Sequence, residues 1–199
     1  MSSSNAPFGL RPAFHPSGLD RAQALAGGIT SGYASNIFKG QPVSYGVAAN
    51  SGTNGTIQPT TTGSAWVGAF AGVQWTDTTG RARVSNYWPA NTAYTAGTCV
   101  AYFYNDSNIV YEIQASGSMA QTSIGGEYNF SSDIASGSTT TGLSSCTLNA
   151  SSAVANGAQG QMRVVDLAPY VDNAWGDAYT IVRVVCANSQ FFGAFTAVV

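Results

Sequence analysis

Residues 99–114 read CVAYFYNDSNIVYEIQ, and this stretch decides the fold class. Two runs rich in Val, Tyr, Phe and Ile, at 99–104 and 109–114, flank four turn-forming residues. The second run has the period of two expected of a strand with two different faces. One face holds Val110, Glu112 and Gln114, and the other holds Tyr111 and Ile113. The stretch therefore predicts an antiparallel hairpin.

Similar runs continue on both sides of this hairpin, with turn residues every eight to twelve positions. The predicted strands are 41–47, 55–60, 65–75, 82–88, 161–167 and 179–187, with turns at 54–55 and 77–80. A short helix is predicted only at 20–28, where Asp20 can cap the start and two glycines can end it. The expected fold is all-β, either a barrel or a sandwich.

The first 25 residues differ from the rest and are predicted to form an extended docking arm. They hold three of the seven prolines, which exclude regular helix and central strand. Apolar side chains between the prolines need a surface to pack on, either on another protein or on this chain's own body. The candidate contact residues of the arm are Phe8, Leu10, Arg11, Pro12 and Phe14.

The remainder, 26–199, is predicted to be a single β domain. Within it, 121–157 is rich in Ser, Thr and Gly and too poor in apolar residues to build a core alone, so we expect a protruding loop or weak edge strands. The chain's last stretch is apolar and uncharged. It either completes a sheet or forms a subunit interface through Phe191, Phe192 and Phe195.

Charge is unusually scarce: charged residues make up 8% of the 199 residues, against about 25% in a typical domain. The net charge of −2 and the absence of a basic cluster argue against nucleic-acid binding. No apolar run is long enough for a membrane helix, and the N-terminus lacks the pattern of a signal peptide. Such a surface is either covered inside an assembly or kept in solution by hydroxyl groups.

The inventory of reactive side chains argues against an enzyme. His15 is the only histidine, and the three cysteines form no C-x-x-C pair, so we expect no metal site, no cofactor and free thiols. Glu112 and Glu127 are the only glutamates. Asp106 and Glu112 flank the predicted hairpin and could pair as catalytic carboxylates, but solvent-facing polarity is the simpler interpretation.

Aromatic residues, at 12% of the chain, allow two further interpretations. One is a protein–protein interface, where aromatic side chains supply rigid contact area. The other is a carbohydrate-binding sandwich with a sugar-stacking face, although core packing also suits the tryptophans within apolar runs. The candidate stacking residues are Trp66, Trp75, Tyr87, Trp88, Tyr94 and Trp175.

Short motifs over most of the chain carry a family resemblance. They read SNAPFGLRP at 4–12, FHPSG at 14–18, NIFKGQPV at 36–43, VGAFAGV at 67–73, RVSNYWPANT at 83–92 and DNAWGD at 172–177. These stretches resemble small head proteins of tailed bacteriophages. The glycine-punctuated runs at 40–43, 55–57 and 67–73 resemble capsid cement proteins, which decorate the head.

The resemblance implies a non-enzymatic virion protein that stabilises an icosahedral head by bridging neighbouring major capsid subunits. It implies a homotrimer on the outer surface of the capsid, assembled in the host cytoplasm, with the arm contacting the shell. Neither nucleic acid nor membrane is an expected partner. A minor tail or fibre component would have a similar composition, and the carbohydrate-binding module is the alternative from another functional class.

Overall fold

The computed structural model describes residues 2–18, 24–46, 55–151, 153–155 and 157–191. These residues form two antiparallel sheets and no α-helix, which confirms the all-β prediction and is consistent with a sandwich. Within these ranges, a single 3₁₀ turn lies at Gln121–Ser123. The strands are β1 (Arg11–Phe14), β2 (Ala24–Gly27), β3 (Pro42–Tyr45), β4 (Ile57–Pro59), β5 (Gly68–Thr76), β6 (Ala82–Ser85), β7 (Val100–Tyr104), β8 (Val110–Gln114), β9 (Glu127–Tyr128), β10 (Met162–Leu167) and β11 (Ile181–Cys186).

Each sheet has its own apolar cluster. The five-stranded sheet, in the order β1-β8-β11-β10-β9, buries Tyr111, Ile113 and Val184 among others. The second sheet runs β2-β7-β5-β3-β4, with β6 also paired to β5. It buries Phe70 and Phe103 in a separate cluster. Loops between the strands complete both clusters.

The predicted hairpin at 99–114 is wrong in its pairing. Both strands exist, but β7 pairs with β2 and β5, whereas β8 pairs with β1 and β11. The turn residues 105–108 carry the chain from one sheet to the other. The reason is burial: Phe103 of β7 belongs to one apolar cluster and Tyr111 of β8 to the other. Turn residues and alternation define the two strands, but not their partners.

The predicted helix at 20–28 is also wrong. Its second half is β2, which pairs with β7 in the register Ala24↔Tyr104 to Gly27↔Ala101. Residues 19–23 lie outside the described part of the chain. A helix this short is marginal by itself, because nucleation is costly. Pairing with β7 gives the same residues a ladder of backbone hydrogen bonds instead.

The segment 121–157 does not protrude as a whole. It contributes β9 at the edge of the five-stranded sheet, and Phe130, Cys146 and Leu148 are fully buried in that sheet's cluster. The segment has few apolar residues, but these pack into the core that the strands of the five-stranded sheet form. Other parts of the segment are open to solvent, and Ile124 and Leu143 are each 40% exposed.

Two β-bulges decide which side chains reach the outer face of the five-stranded sheet. One shifts the register between Pro12 and Phe14, and the other between Val164 and Asp166. An extra residue reverses the alternation of a strand beyond it. The second bulge brings Asp166 beside Arg183, which completes a row of alternating charge across four strands: Arg11 lies beside Glu112, and Glu112 lies beside Arg183.

Candidate docking groove

The N-terminal segment is extended and lies on this chain's own body. β1 adds an edge strand to β8, and Leu10 is 2% exposed within the apolar cluster of that sheet. Further upstream, the Tyr179 amide donates a 2.8 Å hydrogen bond to the Ser2 carbonyl. Of the two surfaces that the sequence left open, the described segment uses its own domain. Leu10 is therefore a core residue here rather than a free contact.

Four of the five candidate arm residues line a groove of about 450 Å³. They are Phe8, Leu10, Arg11 and Pro12, and the facing wall consists of Lys39, Gly40, Phe70, Tyr104 and Leu143. The fifth candidate, Phe14, lies outside the groove and is 52% exposed. The groove thus runs between β1 and the segment that leads into β3.

Two glycines allow the walls of the groove to approach each other. Gly9 and Gly40 have φ angles of +72° and +80°, a region that favours glycine. A Cβ on Gly9 would lie 2.7 Å from the Gly40 carbonyl oxygen. The same contact places the Leu10 amide 2.7 Å from that oxygen, as a hydrogen-bond donor. The motifs at 4–12 and 36–43 therefore meet in space.

The groove combines an apolar lining with two cations. Lys39 is exposed and makes no ion pair within the described residues. Arg11 lies over the Phe8 ring, 4.7 Å from its centroid, and donates to Glu112 at 2.7 Å. No carboxylate is among the lining residues. This chemistry suits an extended peptide segment that carries apolar side chains and a carboxylate.

Glu112 holds Arg11 in place from beneath the groove. Burial alone would raise the pKa of this carboxyl, but a hydrogen bond from Tyr170 and the charges of Arg11 and Arg183 outweigh burial and lower it. The Tyr170 hydroxyl also accepts a hydrogen bond from Arg11. The guanidinium of Arg11 is therefore positioned by three neighbours while its side chain stays 51% exposed.

We predict that Glu112 contributes to stability only above acidic pH. Its folded-state pKa lies below the ordinary value of 4.5, so the contribution is present above pH 4.5 and is lost as the pH falls through the folded pKa. Urea unfolding should show Glu112→Gln about 1 kcal/mol less stable than wild type at pH 7. This difference in the free energy of unfolding between wild type and Glu112→Gln should disappear below pH 4.5. A gap that stays constant down to pH 3 would contradict the prediction.

His15 is paired with a carboxylate of the crossover between the sheets. It is buried, and its Nε2 lies 3.0 Å from Asp106 Oδ2 while its Nδ1 accepts a hydrogen bond from the Ser17 amide. This contact joins the end of β1 to the crossover at 105–108. Asp106 and Glu112, the two carboxylates that flank the crossover, thus bind different partners, His15 and Arg11 respectively.

Three of the six candidate sugar-stacking residues are buried. Trp66, Trp75 and Trp88 are each 9% exposed or less and belong to the two apolar clusters. Tyr87, Tyr94 and Trp175 are half-buried. Core packing, the other interpretation of these tryptophans, is what their burial shows. A buried ring cannot stack on a sugar.

The C-terminal candidates are only partly described. Phe191 is 48% exposed, and its ring lies 5.6 Å from the ring of Tyr45. Phe192 and Phe195 lie outside the described residues. The role of these three residues in a subunit interface stays a prediction.

Sequence reasoning missed one whole wall of the groove. Lys39 could have been found, because it is the only lysine and stands in a motif already singled out at 36–43. Leu143 gave no signal, since it comes from the polar segment 121–157. Tyr104 was assigned to a strand, but its place beside β1 depends on the sheet-to-sheet crossover.

Comparisons with known proteins add no assignment. No family model, no curated protein and no solved structure matches the chain. Among the described residues, no group of three or more His, Cys, Asp or Glu side chains could hold a metal ion. No helix in the described part of the chain is long and apolar enough to cross a membrane.

Proposed function

We propose that this chain is a non-enzymatic structural protein of a tailed-phage head, which decorates the shell and bridges neighbouring major capsid subunits. The groove is the observation that carries the proposal. It is built largely from the motifs at 4–12 and 36–43, which also carry the family resemblance, and its exposed Lys39 makes no ion pair within the described residues. The partner segment is an extended stretch of a capsid subunit with apolar and acidic side chains.

The exposed residues around the groove support a bridging role. Arg11 and Lys39 lie on its two walls, so a bound segment touches both β1 and the 36–43 motif. Phe14, on the outer face of β1, offers a separate apolar contact beside the groove. A second shell subunit could be held there. Three copies per unit, on the outer surface of the head, are part of the same proposal.

The proposal is tested by adding purified protein to shells of the encoding phage that lack it. Lys39→Glu should weaken shell binding at least about tenfold, because it places a like charge against the partner carboxylate. Arg81→Glu is the matched control, since Arg81 is an exposed cation far from the groove lining, and it changes the net charge equally. Arg81→Glu should bind as wild type does.

The single lysine gives the same experiment a chemical readout. Carbodiimide treatment of the decorated shell should join the Lys39 amine to a carboxylate of the capsid subunit as an amide. Lys39→Arg should keep shell binding and lose this cross-link. Equal binding by wild type, Lys39→Glu and Arg81→Glu would reject the groove, and no binding to shells by wild type would reject the head function.

A further inference from the structure

The outer face of the six-stranded sheet is a second surface, which the sequence did not indicate. Two cross-strand lines define it, Val84–Gln74–Val100 and Gly72–Tyr102–Ala26. We call these six residues the uncharged face. They alternate along their strands with residues such as Val73, Trp75 and Ala101, which point into the apolar cluster.

The two polar side chains of this face are hydrogen-bonded to each other. Gln74 Nε2 donates a 2.9 Å hydrogen bond to the Tyr102 hydroxyl. The neighbouring charge, Arg83, is in register with the buried Trp75 and pairs with Asp77 at 2.9 Å. Covering the face with another surface would therefore leave no charge of the described residues buried without a partner, and the hydrogen bond between Gln74 and Tyr102 would be kept.

The face also has a projection next to a hollow. Val84 is 82% exposed on β6. Beside it lies a shallow hollow of about 400 Å³, lined by Ala71, Gly72, Gln74, Val84, Asn86 and Tyr102 among others. Because Gly72 has no side chain and Ala71 only a methyl group, the hollow stays open. An apolar side chain the size of valine would fit into it.

We infer that the uncharged face is a contact between two copies of this chain. A charged partner would lose hydration without gaining a counter-charge, so the face favours an equally uncharged surface. A second copy offers that surface, and its Val84 meets the hollow of the first copy while the reverse contact forms at the same time. The same patch on both copies makes a twofold, isologous interface.

This contact does not depend on the proposed role in a phage head. It also differs from a ring of three, in which each copy uses two different surfaces. The two can coexist on a shell, where twofold contacts would link neighbouring trimers. In solution, the chain is either a monomer or a trimer when the twofold contact is absent. The twofold contact doubles the mass of that species.

Sedimentation velocity of the purified full chain tests the inference. Wild type should sediment as an even-numbered oligomer, and Val84→Lys should halve its mass, because two added ammonium groups would be buried close together. Val171→Lys is the matched control: Val171 is fully exposed in the loop after β10, away from this face. Its oligomer should have the wild-type mass.

Thermal unfolding of both variants checks that each is folded, which the exposure of both valines leads us to expect. Wild type that stays monomeric at millimolar concentration would overturn the inference. So would a Val84→Lys variant that keeps the wild-type mass, or equal dissociation of both variants. Shell binding is measured separately, so failure here and failure of the head function are distinguishable.

Discussion

Gly68→Ala is expected to prevent folding or to lower the free energy of unfolding by more than about 4 kcal/mol. A Cβ at this position would lie 1.8 Å from the Tyr104 carbonyl oxygen and 2.6 Å from its carbonyl carbon. Both atoms belong to the backbone where β7 ends and the crossover to the other sheet begins. No side-chain rotation can relieve the clash, so β5 and β7 would have to separate.

Gly117→Ala is the matched control for this prediction. Its added Cβ would meet only the Ala150 Cβ, at an ordinary contact distance of 3.7 Å. We expect a change below about 1 kcal/mol, since alanine also restricts the unfolded chain. Urea unfolding followed by tryptophan fluorescence measures both variants. A Gly68→Ala protein as stable as Gly117→Ala would show that β5 and β7 do not approach each other as described.

Leu148→Ala is the second large effect, with an expected loss of about 3 kcal/mol. Leu148 is fully buried in the cluster of the five-stranded sheet. Its amide donates to the Gln114 carbonyl at 3.0 Å, and its carbonyl accepts from the Ser116 amide at 2.8 Å. The backbone is thus fixed on both sides, so the site cannot collapse around the cavity that alanine leaves.

Leu143→Ala removes the same atoms from the same polar segment and serves as the control. Leu143 is 40% exposed, so we expect a loss below about 1 kcal/mol. Chemical denaturation at pH 7 distinguishes the two substitutions. If both substitutions cost the same small amount, Leu148 would not be packed in the core as described, and the place of the segment 121–157 in that core would be refuted.

The fold class could be predicted because local patterns determine it. Alternation and turn residues located most strands, and the turn at 77–80 forms between β5 and β6. The Asp77 carboxylate stabilises that turn by accepting from the Thr79 hydroxyl and amide and from the Arg81 amide. Hydrogen bonds to the ionised form hold the pKa of Asp77 far below its usual range.

Strand partners could not be predicted, because they depend on contacts distant in sequence. β7 and β8 are separated by five residues but belong to different sheets. The bulges that place Phe14 and Asp166 on an outer face likewise appear only when strands are paired. Segment 121–157 shows the same limit: its few apolar residues are buried by partners that its own composition does not reveal.

The candidate site could be predicted only in part, because some of its features are local in sequence and others depend on distant contacts. The arm residues stood out because apolar side chains alternated with prolines. Their position against the 36–43 motif required the close approach of Gly9 and Gly40. The uncharged face left no local signal, since Val84, Gln74 and Tyr102 come from three separate strands.

The central claim, a structural role on a phage head, is tested most directly by composition. The measurement is the copy number of this chain relative to the major capsid protein in purified particles of the encoding phage. The proposed function predicts a ratio near one. Complete absence of the chain from the particles would contradict it.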